Sequence, residues 1–507
     1  MNSNDISLFP YGGSDDLLGL IPDRDVVQVQ YLGRYLQEIQ AKHLIVENHY
    51  IDRHYMEEFA VYYARNVTPP KNYCRRVHVF AGCDLLDSGE TFDGLLASAA
   101  KSKTGIFDIQ EKLNYCYLGY IVIRPVARVP IGRTVLSHLR DRSTRIFPAS
   151  AEYPVHLAGL TLAVSGLAFQ QQDQAVSACA STAVWSALQC VCRRDGGRSP
   201  TPSAITEAAV RHFLAAGRPY PSSGLTVEQI SESLRQFRFA PVLFRVAGSP
   251  VNFKLLLNIY LRSGIPVILG LTRNGEGTGG HAVTVVGFEE KKLPTGLEEI
   301  NEELSGVDGA NLDFDKIYIH DDRLGPYASA TLQVVEDIHD EILGSNADTK
   351  RQVKKRSLKL AIRGDQDEWQ IEIGIVPLYE KLRTTAEELF GEAAISLLPV
   401  VKELFAVNNE KIGIHLFFMR SGEYQQKLFG SSADATRLAH FQKNVVLSRY
   451  VGVVRWELNG KLLMDTLWDT TDRIKSSEES MMGVVGYNSD YYPLTDALSR
   501  RSKGFSC

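Results

Sequence analysis

The chain has no apolar run long enough to span a bilayer, for which about 18 residues or more are needed; the nearest, Leu157 to Phe169, falls short. No basic n-region followed by an apolar h-region opens the sequence, so no secretory signal is expected. Cysteine is scarce and odd in number, with seven in 507 residues. That excludes a disulfide scaffold and suits reduced thiols in a cytoplasm. Excess positive charge is also missing: 55 Lys and Arg against 60 Asp and Glu give a net charge of −5, which supports neither a nucleic-acid nor a membrane surface. Internal repeats are absent. The early histidines, His43, His49, His54 and His78, lack metal-ligand spacing, and His49 and His54 are too far apart in sequence to share one helix face. Gly275, Gly277 and Gly280 match a dinucleotide fingerprint but precede a β-branched strand instead of opening a helix. No cofactor and no metal are expected.

What is present is ordinary globular material, 44% hydrophobic and 23% charged. Its length calls for two to four domains. The first residues, to about 23, read as a loosely ordered lead. Helical patterns follow over Val26–Gln40 and Ile51–Arg65, the second with a core stripe of Tyr55, Phe59, Tyr62 and Tyr63. Strands are predicted over 76–82 and 117–126. The segment 157–169 alternates through Leu160, Leu162 and Val164 and reads as a strand. Helices are predicted over 203–216, over 226–236 with Thr226 and Gln229 as a capping box, and over 250–263 behind Ser249 and Pro250. Strands then recur at 241–246, 265–272, 281–288 and 316–322. Segment 289–315 reads as an acidic insertion, and 350–359 as a basic loop or strand edge. Further on, Thr384 and Glu387 start a helix that Pro399 should break. IGIHLFF-MRSG-EYQQKLF reads as a hairpin, and Asn459-Gly460 as the type I′ turn of a second one. Trp456 and Trp468 read as core.

The chemistry concentrates at FQQQDQAVSACAST. Cys179 sits in the first turn of an apolar helix, with Ser177 as the expected cap, where unpaired N–H groups and the helix dipole favour a thiolate. His281 opens the β-branched run HAVTVVGF, and Asp321 or Asp322 closes the strand IYIHDD. A helix-start thiol, an imidazole and a carboxylate on separate elements match the nucleophile, base and orienting group of a cysteine hydrolase or transferase. His320 rivals His281 by proximity, but strand alternation sets it on the face opposite Asp321. Cys190 and Cys192, mid-helix, read as small core residues.

These residues resemble the papain-like cysteine peptidases, and within them the bacteriocin-leader-processing (C39) group. The resemblance covers about 158–330. It rests on the polar run before Cys179, the helix GLTVEQISESL, the unit GIPVILGLTRNGEGTGGHAVTVVGF and the stretch IYIHDDRLG. It implies Cys179 as nucleophile, His281 as base and Asp321 as its orienting partner, since Asp321 matches the family's Asp-to-Gly spacing to Gly325. The family's oxyanion glutamine lies six residues before the cysteine. Asp173 stands there, flanked by Gln172, the favoured donor, and Gln174, the second choice. The transporter often fused to this group is absent, so export of a leader peptide is not implied.

The expected fold class is α+β, a papain-like core (158–335) between N-terminal (1–157) and C-terminal (336–507) mixed α/β domains. The expected protein is cytoplasmic and bacterial and cleaves a peptide or isopeptide bond in a protein or peptide substrate. Its flanking domains pack rigidly on the core, wall the cleft, and offer a surface for a regulatory protein partner. Two alternatives stay open: an acyltransferase or transglutaminase-like enzyme on the same triad, and an inactive papain-like regulatory or sensor protein.

Overall fold

The computed structural model describes residues 6–21, 25–102, 104–139, 144–173, 179–211, 224–246, 249–273, 280–290, 307–308, 314–342, 350–405, 411–431, 433–474 and 477–500. Helices are combined with several sheets, and the sheets are antiparallel apart from one short parallel pairing, Val307–Asp308 with Ile412–Gly413. No helix among the described residues is long and apolar enough to cross a membrane.

The central sheet closes on itself. Val267–Arg273 pairs with Gly280–Glu289, which pairs with Lys316–Asp321, then Gly325–Ile342, Lys350–Ile362 and Trp369–Tyr379, and the last of these pairs back to Val267–Arg273. Closure covers the edges of the strands nearest the site, while the far part of the Gly325–Ile342 and Lys350–Ile362 pair extends past the ring with open edges. The β-branched run after His281 is buried through nearly its whole length because the sheet covers one face and the helix Cys179–Arg194 the other. Phe239–Arg245 extends the sheet beside Trp369–Tyr379.

Before this barrel comes an antiparallel meander of Ile6–Pro10, Ala41–Tyr50, Cys74–Ala81, Tyr117–Ile123 and Ile131–Leu136. After it comes a sheet of Ile412–Arg420, Tyr450–Leu458, Lys461–Asp469 and Met481–Gly486. One apolar cluster runs from Ile45 through Trp185 and Ile268 to Leu498, so all three regions share a core. Polar contacts stitch the same seams. Thr134 and Phe169 exchange backbone hydrogen bonds of 2.8 Å, Trp185 Nε1 donates to His54 Nδ1 at 3.0 Å, and Phe418 N donates to Ser263 Oγ at 2.8 Å.

Several local expectations need correction. The segment 157–169 is not one strand: Ala151–Leu157 and Leu160–Gly166 form a hairpin, turned at Ala158 and Gly159, whose φ values of 47° and 87° lie in the left-handed region. A boundary at 157/158 falls in this turn. A boundary at 335/336 falls inside Gly325–Ile342, which is paired along its length to Lys350–Ile362. The basic run 350–359 is a strand at the edge of the sheet, one of the two readings expected of it, and in its described part Arg356 meets Glu336 at 2.6 Å. EYQQKLF is helical, within Ser421–Leu428, because Tyr424 and Leu428 lie one turn apart and both face the core. The later capping box is one residue on, Thr385 with Glu388, and Pro399 opens a second helix instead of ending the first. Asn459 and Gly460 do make the expected turn, with φ of 52° and 75°. Trp456 and Trp468 are core, both donating to Thr466 Oγ1.

An isolated 155–335 fragment would split the hairpin at one end, cut Gly325–Ile342 from its partner strand, and remove the strand that closes the barrel. It is expected to be insoluble when expressed alone, because the exposed apolar faces would associate. A soluble fragment with a cooperative melt would show that the outer regions are independent modules.

Candidate active site

The helix Cys179–Arg194 is buried from Ala180 to Cys192, and Cys179 at its head is only half-buried. Burial pushes the thiols of Cys190 and Cys192 up to about 11 and about 12, and pushes those of Cys74 and Cys116 up as well. A raised pKa keeps a thiol protonated and unreactive. Gln174 and Ser177 lie outside the described residues, as do Gly275 and Gly277.

His281 is the second residue of its strand, opposite Leu271, and is 6% exposed. Its Nε2 lies 3.0 Å from Asp321 Oδ1, and Cys179 is near enough to the same ring to help raise its pKa. Since Nε2 is engaged with the carboxylate, Nδ1 is the nitrogen left for sulfur. Burial works against a charged imidazole here. Hydrogen bonds to Asp321 and Cys179, with the charges of Asp321 and Asp322, outweigh it and raise the His281 pKa to about 10. The strand is set against the cysteine helix by Thr284, whose Oγ1 donates to the Ala183 carbonyl at 2.8 Å, one helical turn beyond Cys179.

Asp321 ends the next strand and is fully buried. Its Oδ1 also accepts from the Arg323 backbone N–H at 2.9 Å, which fixes the carboxylate's angle. Asp322 is buried too, but its Oδ1 is 3.9 Å from His281 Nε2, beyond a hydrogen bond. Burial pushes its carboxyl up to about 6; the Asp321 charge adds to this and the His281 charge opposes it. Of the two aspartates, Asp321 is thus the one placed to orient the ring. His320 is walled in by Phe169 and Tyr327, both edge-on, and burial lowers its pKa to about 3 despite an interaction with the Ala168 backbone that falls short of good hydrogen-bond geometry. It is a neutral core histidine.

The stretch before the cysteine is divided between two jobs. Gln171 is buried, its Oε1 accepting from Ile131 N at 3.3 Å and its Nε2 donating to Arg128 O at 2.9 Å. Asp173 is also buried; it accepts from Tyr63 O–H and stands 4.0 Å from Arg124. Asp173 therefore ties this stretch to the N-terminal region. Gln172, between them, is half-buried.

Four residues at the site carried no signal of their role in the sequence. Trp369, from beyond the expected core boundary, lies with its ring 5.3 Å from that of His281 and donates Nε1 to Asp365 Oδ2 at 2.9 Å. The Arg323 guanidinium lies 4.9 Å from the centre of the same indole. Tyr31 and Gln28, on the helix Val27–Glu38, brace the aspartate turn: Tyr31 O–H donates to Pro326 O at 2.9 Å and Gln28 Nε2 to Asp322 O at 2.8 Å. This contact also explains Gly325, where a Cβ would fall 2.1 Å from the Tyr31 ring. No protein-family model and no curated protein matches the chain.

Proposed function

We propose that this chain is a cysteine hydrolase with a papain-like core, cutting a peptide or isopeptide bond through Cys179, His281 and Asp321. The observation that carries the reading is the His281 ring, 3.0 Å from a buried carboxylate and beside the half-buried thiol at the start of the helix Cys179–Arg194. In the reading, the Cys179 thiolate attacks the carbonyl carbon and Gln172 donates to the developing oxyanion. The His281 imidazolium then protonates the departing amine, leaving a thioester. The neutral imidazole next takes a proton from water, which attacks the thioester and frees the thiol. Asp321 holds the ring with Nε2 toward itself, and Trp369 keeps water from that bond. The reading places the protein in a reducing compartment such as the cytoplasm, acting on a protein or peptide substrate.

The test is a comparison of new protein N-termini in cells carrying the intact chain or Cys179→Ala. The reading expects N-termini that vanish with the substitution. Identical sets would count against hydrolysis, and amine-linked products in their place would redirect it to acyl transfer.

The pH dependence follows from His281. A raised folded-state pKa means that the imidazolium's contribution to stability is complete below the ordinary histidine value of roughly 6.5 and is lost as pH rises through about 10. The imidazolium itself, the general acid, is lost only as pH passes the folded value of about 10. Hydrolysis of an identified peptide should therefore keep its rate through pH 8 to 9 and fall only near 10. In Asp321→Asn the alkaline limb should move toward neutrality. An alkaline limb near 6.5 in the unaltered protein would remove the coupling to Asp321.

A further inference from the structure

His281, Asp321 and Asp322 bring three buried ligand atoms within 4.8 Å of one another. We propose that they form a site for a divalent zinc-class cation, and that the bound ion draws His281 away from Asp321 and silences Cys179. The site itself needs only these three side chains; its effect on the thiol rests on the hydrolase reading above.

The charges here do not balance. Two buried carboxylates face a single imidazole, and three of their four oxygens, Asp321 Oδ2 and both oxygens of Asp322, have no hydrogen-bond partner among the described residues. Unpaired buried carboxylate oxygen is costly, and a cation relieves it. Among the described residues, the side-chain cation beside the site gives its terminal nitrogens to other carboxylates and meets Asp321 only at long range. Arg323 pairs with Asp365 and lies 3.5 Å from Asp367, while its Nε stays 3.8 Å from Asp321 Oδ1.

The spacing suits a small ion. His281 Nε2 is 3.0 Å from Asp321 Oδ1 and 3.9 Å from Asp322 Oδ1. Tetrahedral zinc, with bonds of about 2.0–2.2 Å, sets its ligand atoms about 3.3–3.5 Å apart, between these two values. One imidazole nitrogen with two carboxylates selects zinc-class ions over calcium, which takes six to eight oxygens, and over magnesium, which keeps its waters. Three protein ligands leave a fourth position for water. Binding uses the Nε2 lone pair, so the proton that Nε2 shares with Asp321 leaves to solvent. The ring can then no longer serve as the charged partner of the thiol. The sequence has no metal spacing because the ligands come from two strands joined only by the fold.

The experiment is calorimetric titration of the full chain with zinc chloride in a non-chelating buffer, alongside iodoacetamide labelling of Cys179. The expected result is one zinc per chain, with Asp322→Asn and His281→Ala each weakening it by about 10- to 100-fold. Cys179→Ala should keep the affinity within about threefold, since sulfur is not a ligand in this site. Zinc should slow Cys179 labelling, and EDTA should restore it. Thermal melts of Asp322→Asn show whether a weakened titration reflects misfolding, and His281→Ala tests the site independently. Absence of binding overturns the proposal. So does zinc that is lost in Cys179→Ala and unchanged in Asp322→Asn, because the ion would then sit on the thiol. Binding that obeys the Asp322 and His281 variants but leaves labelling untouched supports the site and overturns the thiol–histidine coupling instead.

Discussion

Replacing Asp321 with Asn is expected to lower turnover by ~10²–10⁴-fold while leaving the fold intact. The carboxylate has two functions in the geometry: it accepts from His281 Nε2 at 3.0 Å, and it balances the imidazolium charge within a site that excludes water. The amide nearly preserves shape, but it removes the charge and can donate to Nε2, favouring the tautomer that carries its proton on Nδ1, where it cannot accept the thiol's proton. The same change at Asp322 should cost less than about tenfold, because that carboxylate lies beyond hydrogen-bonding distance of the ring and acts on it only through charge. Steady-state rates of the two purified variants on one peptide check this. Reversed effects would make Asp322 the orienting residue.

The site's own atoms were largely legible in the sequence because each sits at the end of a local pattern. Cys179 precedes an apolar helical run, His281 opens a β-branched strand, and Asp321 closes another. Periodicity alone also separated His320 from the site, and the packing around its ring gives the physical reason. What supports those atoms was not legible, because it arrives from far along the chain. Trp369 follows the polar turn GDQDE and reaches His281 only once the barrel closes by pairing 369–379 with 267–273. Tyr31 and Gln28 reach the aspartate turn from nearly 300 residues away in sequence. Non-local pairing of this kind leaves no trace in a window of ten residues. The described end of the basic stretch depends on non-local pairing in the same way, since Arg356 meets Glu336 only across the strand pair. The hairpin misread at 412–428 has a different cause. Tyr424 and Leu428 fit either period, and only the packed face decides between them.

The second large effect is expected at the thiol itself, and it tests the central claim most directly. Among the described cysteines, Cys74, Cys116, Cys190 and Cys192 are buried and held protonated, whereas Cys179 stands half-buried at a helix head against His281. The measurement is the rate of iodoacetamide labelling at each cysteine near neutral pH, read by peptide mapping, in the intact chain and in His281→Ala. The account predicts that Cys179 is labelled at least about tenfold faster than any other cysteine, and that His281→Ala removes that advantage. Faster labelling at Cys83, Cys190 or Cys192, or a Cys179 rate that ignores the loss of His281, would contradict it.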